Sequence, residues 1–278
     1  MKRTAQTMRE LGKPGMEQPG LFERIGEDVV RSTANTLLFV ADLSTTLGRG
    51  LLPGNWRRTM REEFQLYFFQ VGVRAIPAVV VSALLVGLGL VLQVIYWLEV
   101  AGQEGSVGDF LVLVLVREIS PVVTALIVIG RSGSVMLHEV GHLRVGGQIR
   151  MLESYGIDPV DLIAIPRCFA TALSLFLLTI VFLYAALGSG YIGASIAGLT
   201  VISLVEFADA VVSGMSLGDH LLLVLKPVIT GFVIGYIAIW LGLRVQPSVL
   251  GVRRVLPQAF VYSLLATFVI GVAVSAVV

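Results

Sequence analysis

Apolar runs too long for a soluble core alternate with short charged stretches along this chain, and the alternation predicts five membrane-spanning helices. The runs cover about 75–97, 110–137, 168–192, 219–243 and 259–278. Each reaches the ~20 residues that a helix needs to cross a hydrocarbon layer. Ahead of them the pattern becomes amphipathic. Phe22, Ile25, Val29, Thr33, Leu37, Val40, Leu43 and Leu47 recur at steps of three or four, with Glu23, Arg24, Glu27, Asp28 and Arg31 between them. After Pro53-Gly54 a second such stretch sets Trp56, Met60, Phe64, Tyr67, Phe68 and Val71 against Arg57, Arg58, Arg61, Glu62 and Glu63. The two stretches read as helices lying in the membrane interface, or as ordinary helices of a small cytosolic domain. Too little chain precedes the first span to build a separate core, which favours the interface. The expected fold is therefore all-α and polytopic: a flexible cytosolic tail over 1–20, two interfacial helices over 21–72, and a five-span membrane domain over 73–278. A short helix is also expected at Ser203–Val212, in the loop before the fourth span.

Composition agrees with this reading. Of the 278 residues 56% are hydrophobic and only 14% charged, against about 25% charged in a soluble domain. The net charge of +1 gives no basis for a nucleic-acid partner, and one cysteine, Cys168, excludes an intrachain disulfide and a cysteine-based metal cluster. Met1–Gly20 is polar, without the apolar core of a cleavable signal peptide. The distribution of charge sets an orientation. The segments 49–74, 131–167 and 244–254 are rich in arginine, whereas the loops at 98–108 and 193–218 contain no Lys or Arg. The positive-inside rule then puts the N-terminus in the cytoplasm and, after five crossings, the C-terminus outside.

Charge inside an apolar run needs a reason. Arg117 and Glu118 lie some seven residues into the second span and Lys226 some seven residues into the fourth, so all three sit roughly 11 Å below the outer boundary at about 1.5 Å per residue. Pro121 removes one backbone donor and frees the carbonyl of Arg117 four residues back. Gln93 is the polar exception in the first span, where Gly87 and Gly89 let another helix approach. The charges either pin helices together or face an outward cavity, in which the cations meet an anionic headgroup and the apolar walls hold acyl chains.

Between the second and third spans, Gln148 to Tyr155 forms a short amphipathic segment. Ile149, Leu152 and Tyr155 share one side, and Arg150 and Glu153 point elsewhere. Gly156 suits a helix-ending position with positive φ, and Asp158-Pro159 restarts the helix. Such a segment either rests on headgroups or docks in a groove of a cytosolic partner. Just before it, His138-Glu139-Val140-Gly141-His142 has the H-E-x-x-H spacing of a zinc protease. Such a site needs a third protein ligand. The other histidine, His220, falls across the membrane, and Asp158 and Asp161 are on the correct side but without a protease-like motif around them.

The run Arg117-Glu118, Pro121, Ala125-Leu126, Gly130-Arg131-Ser132-Gly133, Glu139-Val140-Gly141, Leu143-Arg144-Val145, Gln148-Ile149, Leu152-Glu153, Gly156-Ile157-Asp158-Pro159 and Pro166-Arg167 resembles the signature of the MlaE/YrbE permeases, membrane subunits of Mce-associated ABC lipid transporters. The last span here carries no charge, where an acidic residue is common in that family. The resemblance implies an MlaE-type permease domain working as a homodimer in the bacterial inner membrane. Its partners would be a cytosolic ABC ATPase and a periplasmic Mce-domain protein, and its cargo phospholipid. The chain itself would be no enzyme and hold no cofactor or metal, since ATP would be bound by the partner and no phosphate loop is present here. Arg117, Glu118, Lys226 and Gln93 would line the lipid cavity. Arg144, Gln148, Arg150, Leu152, Glu153, Tyr155 and Asp158 would meet the ATPase, with the coupling helix over about 145–155. A proton-coupled secondary carrier, or a zinc protease using His138, Glu139 and His142, are the competing readings.

Overall fold

A computed structural model describes residues 37–52, 56–103, 106–198, 203–245 and 248–277. The tail at 1–20, the interfacial stretch up to residue 36 and the Pro53-Gly54 break lie outside the described residues. The chain divides into two compact units after Thr45, and the features below belong to the unit that starts at Thr46. Residues 37–51 are helical (α1). They are followed by α2 (Arg58–Val71), a tight 3₁₀ turn at Val73–Ala75, and α3 (Ile76–Val100). The second span is one irregular helix, α4 (Val107–Val145), and the short α5 (Gln148–Ser154) comes next. Then follow α6 (Val160–Ile196), α7 (Leu204–Ser213), α8 (Leu217–Arg244) and α9 (Val249–Val277).

Five helical stretches among the described residues are long and apolar enough to cross a membrane: Arg58–Val100, Val107–Val145, Val160–Ile196, Leu217–Arg244 and Gly251–Val277. They outlast the apolar runs at several ends because helix continues into the polar flanks, where backbone hydrogen bonds rather than hydropathy set the limit. The short helix expected at Ser203–Val212 is α7. It opens with a capping box in which the Glu206 carboxylate accepts from the Ser203 amide at 2.8 Å and the Ser203 hydroxyl accepts from the Glu206 amide at 3.3 Å. The Ser203 amide, and the Ser203 hydroxyl donating to the same carboxylate at 3.1 Å, hold the Glu206 carboxyl below the usual carboxylate range.

The long helix α6 is the centre of the packing, touching α2, α3, α4 and α8. Its fit against α3 depends on missing side chains. A Cβ on Gly87 would stand 2.1 Å from the carbonyl oxygen of Ala186, and one on Gly190 would stand 2.3 Å from Val91 Cβ. Gly89, by contrast, faces open space and mediates no such approach. Gly87→Ala is therefore expected to destabilise the protein by about 1–3 kcal/mol, the range for overfilling a packed interior. Gly89→Ala should be near neutral or slightly stabilising. Thermal unfolding of the two purified variants side by side checks this, and equal effects would sink the assignment. Across the α4–α6 seam, the Thr124 and Thr179 hydroxyls lie 2.9 Å apart.

Candidate functional site

The irregularity of α4 begins at Pro121. With no N–H to give, it removes the donor that the Arg117 carbonyl would meet four residues on, and the turns over Val112–Ile119 just before it have the π pattern. Lys226 of α8 takes that carbonyl: its Nζ donates to Arg117 O at 2.7 Å, to Glu118 Oε1 at 2.9 Å and to Ser275 Oγ at 3.1 Å. The Ser275 hydroxyl, from α9, donates to the same Glu118 oxygen at 3.0 Å. Three helices thus meet on one ammonium whose side chain is 2% exposed, all three of its donors satisfied. Arg117 turns the other way, its Nε donating to the Asp219 carboxylate. Asp219 also accepts from the Ser216 amide and hydroxyl, each at 2.8 Å, in the capping box that starts α8. The cluster is graded: Lys226 and Asp219 are buried, whereas the Glu118 side chain is 53% exposed and that of Arg117 39%.

Lys226 and Glu118 are therefore brought together, and Arg117 joins them through its carbonyl alone, its guanidinium pairing with Asp219 instead. Gln93 does not join them. It lies exposed on α3, with no hydrogen bond to the cluster. On a helix apolar all round, sequence does not say which way one polar residue is rotated.

Beyond α4, the α5 helix is bracketed by two left-handed glycines, Gly147 at φ +76° and Gly156 at φ +71°, a conformation glycine adopts without steric cost. Its faces differ from the expected ones. Ile149 is buried against the rest of the chain and Leu152 is half-buried. Tyr155 lies in the turn past the helix end, out of phase with them, and is 72% exposed, and Met151 is 58% exposed. Gln148, Arg150 and Glu153 are exposed and Arg144 half-buried. Asp158 accepts from the Val160 amide at 3.0 Å, starting α6, and from Arg49 Nη1 at 3.0 Å. The same Arg49 nitrogen reaches Asp161 at 3.0 Å, and the ion pairs border a cavity of about 440 Å³ that includes Arg57 and Met60.

A second polar cluster lies at the α5 end of the spans. Arg167 of α6 is 7% exposed at its side chain and lies 4.1 Å above the Tyr67 ring of α2. Its guanidinium is 3.6 Å from the Glu63 carboxylate and 4.0 Å from that of Glu139. Tyr67 donates its hydroxyl to Glu139, and Gln70 donates to the other oxygen at 3.3 Å.

A family model described as permease MlaE matches residues 65–277. The chain belongs to the MlaE permease family. Its relatives include a probable ABC transporter permease protein of Synechocystis sp., 30% identical over 77% of this chain and 79% of the relative. The MlaE permease protein of the intermembrane phospholipid transport system of Haemophilus influenzae is 33% identical over 54% of this chain and 60% of the relative. The chloroplastic protein TRIGALACTOSYLDIACYLGLYCEROL 1 of Arabidopsis thaliana is 26% identical over 77% of this chain and 59% of the relative. As an MlaE-family permease the chain is a multi-pass membrane subunit and not an enzyme.

Within this MlaE-family chain, the H-E-x-x-H run does other work. Glu139, the would-be base, is spent on Tyr67 and Gln70. The two exposed histidines meet each other, Nε2 to Nε2 at 2.9 Å. No group of three His, Cys, Asp or Glu able to hold a metal exists among the described residues. Sequence reasoning missed Asp219, Ser216 and Ser275 in the Lys226 cluster, and Glu63, Tyr67 and Gln70 in the Arg167 cluster. Ser216 and Asp219 carried a readable signal in their capping-box spacing. A lone serine in an apolar helix such as Ser275 carried none.

Proposed function

We propose that this chain is the membrane subunit of an ABC transporter that moves phospholipid between the bacterial inner membrane and an Mce-domain protein, as a homodimer driven by a separate ATPase. The observation that carries the reading is α4 itself. One helix bears the Arg117–Glu118 charges near one end and leads into the α5 segment at the other. At about 1.5 Å per residue the stretch from Arg117 to Val145, where α4 ends before the turn at Gly147, is roughly 42 Å long, more than the ~30 Å hydrocarbon layer. A push on α5 from the cytoplasmic side would thus reach the charge cluster through a continuous rod, softened by the π-turns at Val112–Ile119 and Ile129–Gly133. The names of the Haemophilus and Arabidopsis relatives support a lipid cargo. The arginine-rich segments support a cytoplasmic N-terminus and a periplasmic C-terminus. In this reading Arg117 and Glu118 face the headgroup, Lys226 positions them, and the partner subunit binds ATP.

The apolar surface available to the ATPase is Met151 and Tyr155, flanked by Arg150 and Glu153. Met151→Asp with Tyr155→Asp is expected to lower co-purified ATPase at least tenfold, as for loss of an exposed aromatic anchor, while the permease yield holds. Undiminished ATPase recovery would sink the coupling role of α5. Uptake driven by a proton gradient in the purified chain alone would support the carrier reading instead.

A further inference from the structure

A pocket of about 240 Å³ opens between α2 and α4, lined by Tyr67, Gln70, Arg74, Arg131, Ser132 and Val135 among others. Both arginines come from places where the helix departs from α geometry. Arg74 sits in the 3₁₀ turn Val73–Ala75, and Arg131 and Ser132 in the π-turn Ile129–Gly133. Arg131 spends one N–H on the Gln70 carbonyl at 3.4 Å, and the Arg74 guanidinium lies 5.7 Å from the Phe69 ring centroid. Neither pairs with a carboxylate among the described residues, unlike Arg49, Arg58, Arg117 and Arg167. Two uncompensated planar cations beside one cavity suit a phosphate, which guanidinium binds in bidentate fashion.

The surroundings say what carries that phosphate. Phe69, Val73, Ile76 and Val135 border the arginines and are exposed large apolar side chains. On a spanning helix, such residues face hydrocarbon. The pocket therefore lies where the apolar band meets the arginine-rich end, the level of lipid headgroups, and a ligand there would keep its chains in contact with the exposed apolar side chains. A soluble phosphate would leave that apolar border unused.

We propose that this pocket binds the phosphate of an anionic phospholipid from the leaflet at the arginine-rich end, a site apart from the Arg117–Lys226 cluster. The inference needs only that the helices cross a bilayer, not that the chain transports lipid. The purified protein, with any subunits that accompany it, is placed in nanodiscs of phosphatidylcholine with or without phosphatidylglycerol, and retained lipid is counted by native mass spectrometry. The wild type is expected to retain phosphatidylglycerol in preference to phosphatidylcholine. Either Arg74→Gln or Arg131→Gln should weaken that retention roughly fivefold and the pair roughly thirtyfold, the effect of one headgroup-level charge each, with phosphatidylcholine unaffected. The Arg74→Lys, Arg131→Lys pair should keep part of the preference. No preference in the wild type, or undiminished preference in a folded double Gln variant, would overturn the proposal. Displacement by excess inorganic phosphate independent of disc composition would reassign the pocket to a soluble anion. The wild-type comparison stands whether or not the double Gln variant folds.

Discussion

Replacing Arg167 by methionine is expected to destabilise the purified protein by about 3–5 kcal/mol, the range for removing one partner of a buried charge pair. Its guanidinium is the cation between Glu63 and Glu139, and it also covers the Tyr67 ring. Without it, two carboxylates remain near each other at a helix junction, Glu139 already committed to Tyr67 and Gln70. The 3.6 and 4.0 Å separations are wider than hydrogen bonds, and one Glu63 oxygen and two Arg167 nitrogens are buried without a hydrogen-bond partner. This argues for the lower end of the range. Arg167→Lys should recover only part, because an ammonium lacks the flat face that stacks on Tyr67. Adding Glu63→Gln to Arg167→Met should recover more, since neutralising both members of a pair removes the uncompensated charge. Thermal unfolding in detergent orders the four proteins. An unaltered midpoint for Arg167→Met would show that the cluster holds nothing together.

The limits of the sequence are visible in these two clusters. Spans, the short α7 helix and the positive φ of Gly156 were all legible, because each depends on residues within a few positions. So was the free carbonyl of Arg117, which follows from the covalent structure of Pro121. Rotation about a helix axis was not. Gln93 and Lys226 each stand alone in an apolar run, yet one is exposed and the other is buried, bonded to two neighbouring helices. The split between Gly87 and Gly89 has the same origin, two residues on different sides of one helix. Arg167 illustrates the further difficulty that its acids lie on two other helices, one near the start of α2 and one late in α4. Only packing brings them within reach.

Lys226→Ala is expected to destabilise the protein by about 1–3 kcal/mol, the range for a carbonyl left without its donor. This is less than for Arg167→Met because the Glu118 side chain it leaves is 53% exposed. It strips the Arg117 carbonyl of its donor and leaves Glu118 with Ser275 alone. Under the proposed function it should also lower retained phospholipid roughly tenfold, the effect of one charge-assisted contact turned unfavourable, because an uncompensated Glu118 would repel an anionic headgroup. The double change Lys226→Met with Glu118→Gln separates the two consequences. It replaces the ion pair by neutral groups of similar size, so stability should return in part. Arg117 remains, partly exposed and oriented by Asp219, so lipid retention should return as well. Arg117→Gln is the complementary case and should lose the lipid even with Lys226 and Glu118 intact. Mass spectrometry of lipid carried by the four purified proteins reads the result. If Arg117→Gln retains wild-type lipid, the Arg117–Lys226 cluster is a pin between helices, and the headgroup site must be sought elsewhere.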